Sequence, residues 1–232
     1  MNTKNAIANR EVFEFKEMYC NENSIIIQLI KDRVAHLIES PVLDVGAGIG
    51  DIAYYAFSGL DVTMIDINPP SSFDYKCHNN HKRLVVDFFN YETDSKIATL
   101  FISHTLQFID DDLGRLNDKV RELSPKWIVL VANANNDFIG DLIDWTDMHF
   151  ENPNPERTIN GFPCGYDLIK SEPFSAAVKC PSFECLADQV SYLMLIDLAT
   201  KRQALINFLK SRLENPEFSF KQTINIYQQH GE

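Results

Sequence analysis

With 232 residues, 45% of them apolar, the chain can bury one substantial core in a single domain. A formal charge of −12 and a pI near 4.9 argue against a long nucleic-acid face, which needs clustered Lys and Arg; the longest basic runs are the pairs Lys82-Arg83 and Lys201-Arg202. No signal-peptide pattern or apolar run approaching ~20 residues appears, and the five cysteines form no framework, so the expectation is a cytoplasmic protein without a membrane partner.

Residues 5 to 39 read as helices. Val12, Phe13, Phe15, Met18 and Tyr19 crowd the first stretch, and after the break at Asn21-Glu22-Asn23-Ser24 a second helical run covers Ile25 to Ile38, stopped before Pro41. Val42-Leu43-Asp44-Val45 then reads as a buried strand, followed by Gly46-Ala47-Gly48-Ile49-Gly50-Asp51 as a sharp turn and a helix over about residues 51 to 58. Glycines at alternate positions of such a turn permit unusual backbone angles and let a ligand approach the main chain. The dinucleotide pattern needs Gly-x-Gly-x-x-Gly with a pyrophosphate on the helix N-terminus. Here Asp51 stands where the third glycine would fall, and Asp44 adds a second negative charge. A phosphate-free ligand with a positive centre suits this loop better.

Val62-Thr63-Met64-Ile65-Asp66-Ile67 is a second buried strand ending in an acid. Asp66 lies about twenty residues past the first glycine, where a carboxylate can accept hydrogen bonds from ribose hydroxyls. Cys77-His78-Asn79-Asn80-His81 brings three soft ligands together with no second cluster at zinc spacing, so it reads as a polar loop and no metal is expected. Leu84 to Phe89 is a third strand, with Asp87 near its end, and Ala98 to His104 a fourth. The acids Asp110-Asp111-Asp112 start a helix over Leu113 to Leu123. Trp127 to Ala132 is a fifth strand. Ser103 and His104 fall outside the carboxyl end of a strand, where ligands bind in open α/β sheets. Phe174 to Phe183 reads as a sixth strand, Glu184 to about Leu213 as one long helix, and Phe218 to Tyr227 as a half-buried alternating strand.

The run Asp44-x-Gly46-x-Gly48-x-Gly50, with Asp66 and Asp87 following in order, resembles the class I (Rossmann-like) S-adenosylmethionine-dependent methyltransferases. Thr105-Leu106-Gln107-Phe108-Ile109-Asp110 is similar to the family's segment after the fourth strand. The resemblance covers residues 42 to 132 by ordered motifs and 174 to 228 by layout. It implies an α/β fold: a seven-stranded, mostly parallel sheet with helices on both faces and the last strand antiparallel. It also implies S-adenosylmethionine as cofactor and S-adenosylhomocysteine as product. On that pattern Asp44, Gly46, Ala47, Gly48, Asp66, Ile67, Asp87, Phe88, Ser103 and His104 line the cofactor, with Asp66 on the ribose and Asp87 on the adenine amino group. Asn68-Pro69-Pro70 invites comparison with the Asn-Pro-Pro-Tyr motif of DNA amino-methyltransferases, but that motif follows the fourth strand and position 71 is Ser.

One domain over 1–232 is expected, with residues 1–40 as a helical cap and 133–173 as an insertion that builds the substrate pocket. Phe15, Tyr19, Asn133, Trp145 and His149 are the substrate-binding candidates, and His104, His149 and Asp137 the candidate bases. Two helices packing on the domain is the simpler account of the N-terminal aromatics, and either histidine can be structural. The expected reaction is methyl transfer to an O or N nucleophile of a small molecule. Two other readings stand beside it: an NAD-dependent oxidoreductase, opposed by the glycine spacing and Asp51, and a non-catalytic methyltransferase-like binding module. Composition does not decide the oligomeric state.

Overall fold

The computed structural model describes residues 18–67, 77–105, 113–133, 138, 140–142, 144–145, 162–193 and 201–231, apart from the side chains of Leu113, Tyr192 and Leu193. In chain order the main elements are α1 (Glu22–Leu29), β1 (Val42–Val45), α2 (Asp51–Ala56), β2 (Val62–Asp66), β3 (His81–Val85), β4 (Thr99–Ser103), α3 (Leu113–Leu123), β5 (Trp127–Asn133), β6 (Tyr166–Lys179), α4 (Phe183–Leu193), α5 (Arg202–Arg212) and β7 (Glu217–Gln229). A five-residue π turn, Ile30–Val34, and a 3₁₀ turn, Ala35–Leu37, continue α1 toward the sheet.

The strands form a seven-stranded sheet in the order β3-β2-β1-β4-β5-β7-β6. β3, β2, β1, β4 and β5 are parallel, and β7 runs antiparallel between β5 and β6. The order reverses between β1 and β4, and in open α/β sheets the ligand crevice lies at that reversal, outside the carboxyl ends of the strands.

Period-two alternation sends each strand's residues to opposite faces. Val42, Met64, Phe101, Val129 and Ile226 pack on one side beneath Ile26, Ile30, Val34, Ala53 and Phe57. Leu43, Val45, Ile65, Leu100, Ile102 and Ile128 pack on the other beneath Leu116 and Val120 of α3. A third cluster joins α4 and α5 to the β6–β7 end through Leu186, Val190, Leu205, Leu209, Ala176 and Val178.

Several element boundaries differ from the sequence expectation: α1 begins at Glu22, inside the expected break at Asn21-Glu22-Asn23-Ser24, and gives way to the π and 3₁₀ turns after Leu29. β3 begins at His81 and stops at Val85, because His81-Lys82-Arg83 pair with Val62-Thr63-Met64 although they are polar; Phe88–Asn90 is a 3₁₀ turn capped by Asp87. β6 begins at Tyr166, inside the expected insertion. It lies at the sheet edge, where Pro173 costs no ladder bond on the open side. The expected long helix is two helices, α4 and α5, which pack against one core with residues 194–200 between them.

Candidate cofactor and acceptor site

The glycine turn after β1 is held from three directions. Gly46, Gly48 and Gly50 all have positive φ, at 71°, 55° and 84°, a region that only glycine enters without strain. The N–H groups of Gly46 and Ala47 donate to the Ile65 carbonyl of β2 at 2.8 and 3.1 Å. Asp66 Oδ2 accepts the Gly48 N–H at 2.8 Å, and Arg83 Nη1 donates to the Gly48 carbonyl at 2.6 Å. Just after β4, the Thr105 hydroxyl donates to the Val45 carbonyl, and its side chain fills the space a Cβ on Gly46 would need.

Register explains how Arg83 reaches the loop. Asp44, Met64 and Arg83 are paired across β1, β2 and β3, so their side chains form one row on one face. Arg83 Nη2 lies 4.0 Å from Met64 Sδ, and its guanidinium acts on Asp44. Burial pushes the Asp44 carboxyl up to about 7; the Arg83 charge opposes that rise and the Asp66 carboxylate adds to it.

Asp66 and Asp87 follow successive parallel strands, β2 and β3, at the same edge of the sheet. Asp87 Oδ1 accepts the Phe89 N–H at 2.8 Å, which fixes the turn that follows. Phe88 is buried in the core, so its ring packs beneath the edge, whereas Ile67 is about half exposed. Ser103 ends β4, half-buried.

A second group of polar residues gathers at the ends of β4, β5 and β7. His104 follows β4 with φ +52°, a conformation sparsely populated by residues with a side chain. Its Nε2 lies 3.1 Å from Glu22 Oε1 and 3.2 Å from Gln222 Nε2. Gln222 Nε2 also donates to Asn133 Oδ1 at 2.7 Å and to Glu22 Oε1. Glu22 comes from the first turn of α1, which is tied to β6: Ala177 donates to Asn21 Oδ1, Asn21 donates to the Ala177 carbonyl, and Cys20 bridges Val178.

Among the sequence candidates, the structure brings Asp44, Gly46, Ala47, Gly48 and Asp66 together in one turn, and His104 with Asn133 in one network. Tyr19 is half-buried beside that network's helix. Trp145 is buried and stacks on Phe208, with ring centroids 5.3 Å apart, so its ring is engaged in the α4–α5 core. Phe15, Asp137 and His149 lie outside the described residues, as does the segment 106–112. Arg83, Glu22 and Gln222 escaped the sequence reading. Glu22 sat in a stretch read as a helix break, and Gln222 in an alternating strand. Arg83 is a mid-strand cation, and that was its one available signal.

The donors present fit S-adenosylmethionine. Asp66 and Asp87 are carboxylates at successive strand ends, suited to accept from ribose hydroxyls and an adenine amino group. The glycine turn, half-buried at Gly46, Ala47 and Gly48, lies beside Asp66. A pyrophosphate fits poorly: α2 has six residues, Asp51 is buried in its first turn, and Asp66 Oδ2 already takes the Gly48 N–H that a phosphate oxygen would use. Among the described residues no group of three or more His, Cys, Asp or Glu could hold a metal ion, and no helix is long and apolar enough to cross a membrane.

Strand order, antiparallel β7 and glycine turn define a class I methyltransferase fold. No family model and no curated protein matches the sequence. Solved structures do match in shape. A candidate methyltransferase from Bacillus halodurans C-125 superposes with a TM-score of 0.61 at 13% identity, covering 91% of this chain and all of its own. The magnesium protoporphyrin IX methyltransferase of Synechocystis PCC 6803, solved with bound S-adenosylhomocysteine, gives 0.52 at 12% identity over 90% of this chain and 84% of its own. A candidate type II methyltransferase from Anaeromyxobacter dehalogenans gives 0.52 at 14%, covering 89% and 95%. This chain has the fold of S-adenosylmethionine-dependent methyltransferases.

Proposed function

We propose that the protein is a methyltransferase that uses S-adenosylmethionine to methylate a hydroxyl or amine of a small molecule, releasing S-adenosylhomocysteine. One observation carries the reading: a positive-φ glycine turn, Asp66 and Asp87 stand in order along the carboxyl ends of β1, β2 and β3. Bound there, S-adenosylmethionine supplies a methyl group made electrophilic by its sulfonium. The protein's part is to hold and orient: Asp66 for the ribose, Asp87 for the adenine, and the glycine turn for close backbone approach. Positioning of this kind can supply much of a rate enhancement. The net charge of −12 disfavours a nucleic-acid acceptor, and the solved magnesium protoporphyrin IX methyltransferase is a small-molecule precedent on the same fold.

Calorimetry with S-adenosylmethionine and with NAD tests this directly. Binding of the first and not the second is expected; tight NAD binding alone would sink the proposal. Asp66→Ala should weaken S-adenosylmethionine at least tenfold. Because Asp66 also holds the Gly48 N–H, Asp66→Asn is the sharper variant. It keeps an oxygen for Gly48 but loses the second acceptor, and should still weaken binding several-fold. Unchanged affinity in both variants would remove the ribose assignment.

A further inference from the structure

We propose that Glu22 and His104 form a carboxylate–imidazole pair in which Glu22 holds the Nε2 proton and leaves Nδ1 as the base for the methyl acceptor. The inference rests on the methyltransferase reading above for the reaction the base serves. Gln222 Nε2 carries two hydrogens and has three neighbours: Glu22 Oε1, Asn133 Oδ1 and His104 Nε2. The amide cannot be turned over, because its oxygen would then face the carboxylate and the Asn133 carbonyl. The two hydrogens go to those two oxygens. His104 Nε2 therefore receives none from Gln222, and at 3.1 Å from a carboxylate oxygen it must itself be the donor. A neutral imidazole protonated at Nε2 has its lone pair on Nδ1, and Nδ1 has no partner among the described residues.

The surroundings suit this assignment. Glu22 is 3% exposed and Gln222 1%, so the carboxylate is shielded from water and fixed by its hydrogen bonds, while the His104 side chain keeps 17% exposure. Among the described residues the buried Gln222 Oε1 has no partner, which marks the amide as held for what its nitrogen does. The positive φ of His104 turns the chain at the end of β4, at the same sheet edge as the glycine loop.

The step balances as follows. The acceptor's O–H or N–H proton moves to Nδ1 as the acceptor's electron pair forms the new bond to carbon. The carbon–sulfur pair stays with sulfur. The resulting imidazolium is stabilised by Glu22 and returns its proton to solvent. A base of this kind serves acceptors that must lose a proton, hydroxyls and amines with N–H; carboxylates and thiolates need none. Glu22 is a positioning residue in this scheme.

Two measurements on the free protein decide it. In ¹⁵N spectra of the wild type at pH 8, His104 should be the Nε2–H tautomer; an Nδ1–H ring overturns the proposal. Diethyl pyrocarbonate should modify His104 at least as fast as exposed His36, against the order of exposure. Glu22→Gln should slow His104 at least threefold and leave His36 unchanged. A histidine held only for structure would react far more slowly than His36, and that result, or no effect of Glu22→Gln, also overturns the proposal. S-adenosylhomocysteine affinity, measured in parallel, should be the same in the wild type and Glu22→Gln. If the wild type fails to bind it, the methyltransferase reading falls while the tautomer and reactivity results still judge the pair.

Discussion

The two halves of the site are built by different means. The cofactor edge is assembled from residues close in sequence, Asp44 to Asp51, with Asp66 and Asp87 arriving at the next two strand ends. The acceptor edge joins Glu22, His104, Asn133 and Gln222, the outermost of which are 200 residues apart. A local turn writes its requirements into a short motif, because alternate glycines at positive φ admit few substitutes. A network closed by topology is legible only where a member stands at a strand end: His104 and Asn133 were, while Glu22 and Gln222 are ordinary polar residues in their own segments. The difference shows which parts of a site a single sequence can carry.

That difference runs through the fold as well. β1, the glycine turn, β2 and the helix Leu113–Leu123 were legible because apolar periodicity and helix-start acids sit next to one another. β3 was displaced toward Leu84–Phe89 because apolar content drew the reading away from His81-Lys82-Arg83, which are strand only by virtue of their pairing with β2. The break between α4 and α5 is not visible in Leu, Met and Ile content, which continues through it. At the loop, Asp44 and Asp51 were legible, but the Arg83 guanidinium that donates to the Gly48 carbonyl depends on cross-strand register.

The largest expected effect lies in that row. Asp44 is buried and its carboxyl sits near pH 7 instead of the usual carboxylate range. A raised acid binds its proton more tightly in the folded state than in the unfolded one, so its contribution is present at low pH and lost as pH rises toward and through about 7. Asp44→Asn removes this dependence. Variant and wild type should be closest in stability below about pH 4, where Asp44 is protonated in both the folded and the unfolded chain. By pH 8 the variant should be the more stable, by up to about 4 kcal/mol. Denaturant unfolding across that range reads the gap. A gap that stays constant would mean that Arg83 fully compensates Asp44, and that the cofactor edge carries no stored charge.

Gly46→Ala tests the local half by geometry. The new Cβ would overlap the Thr105 side chain at a φ of 71°. Strain at this φ and overpacking together should cost about 3 kcal/mol, seen as a lower denaturation midpoint, with cofactor binding lost or sharply weakened. A variant of wild-type stability would show that the turn relaxes freely, and that the motif at this position reflects ligand approach and not packing against β4.

The smallest effect separates buried polar groups that are joined from those that are not. Gln189 on α4 is fully buried, and among the described residues neither its amide oxygen nor its amide nitrogen has a partner, whereas Gln222 donates its nitrogen's hydrogens to Glu22 and Asn133. An unpaired buried amide costs desolvation with no return, so Gln189→Leu should be neutral or stabilising, by about 1 kcal/mol. The same change at Gln222 takes hydrogen bonds from a buried carboxylate and should destabilise by about 2–3 kcal/mol. Thermal unfolding of the two variants side by side reads both signs. Equal losses would mean that Gln189 also has an unrecognised role, and the α4–α5 face would then have to be counted with the acceptor edge. Opposite signs would mean that the network around Glu22 stabilises the fold through its hydrogen bonds, whereas the Gln189 amide does not.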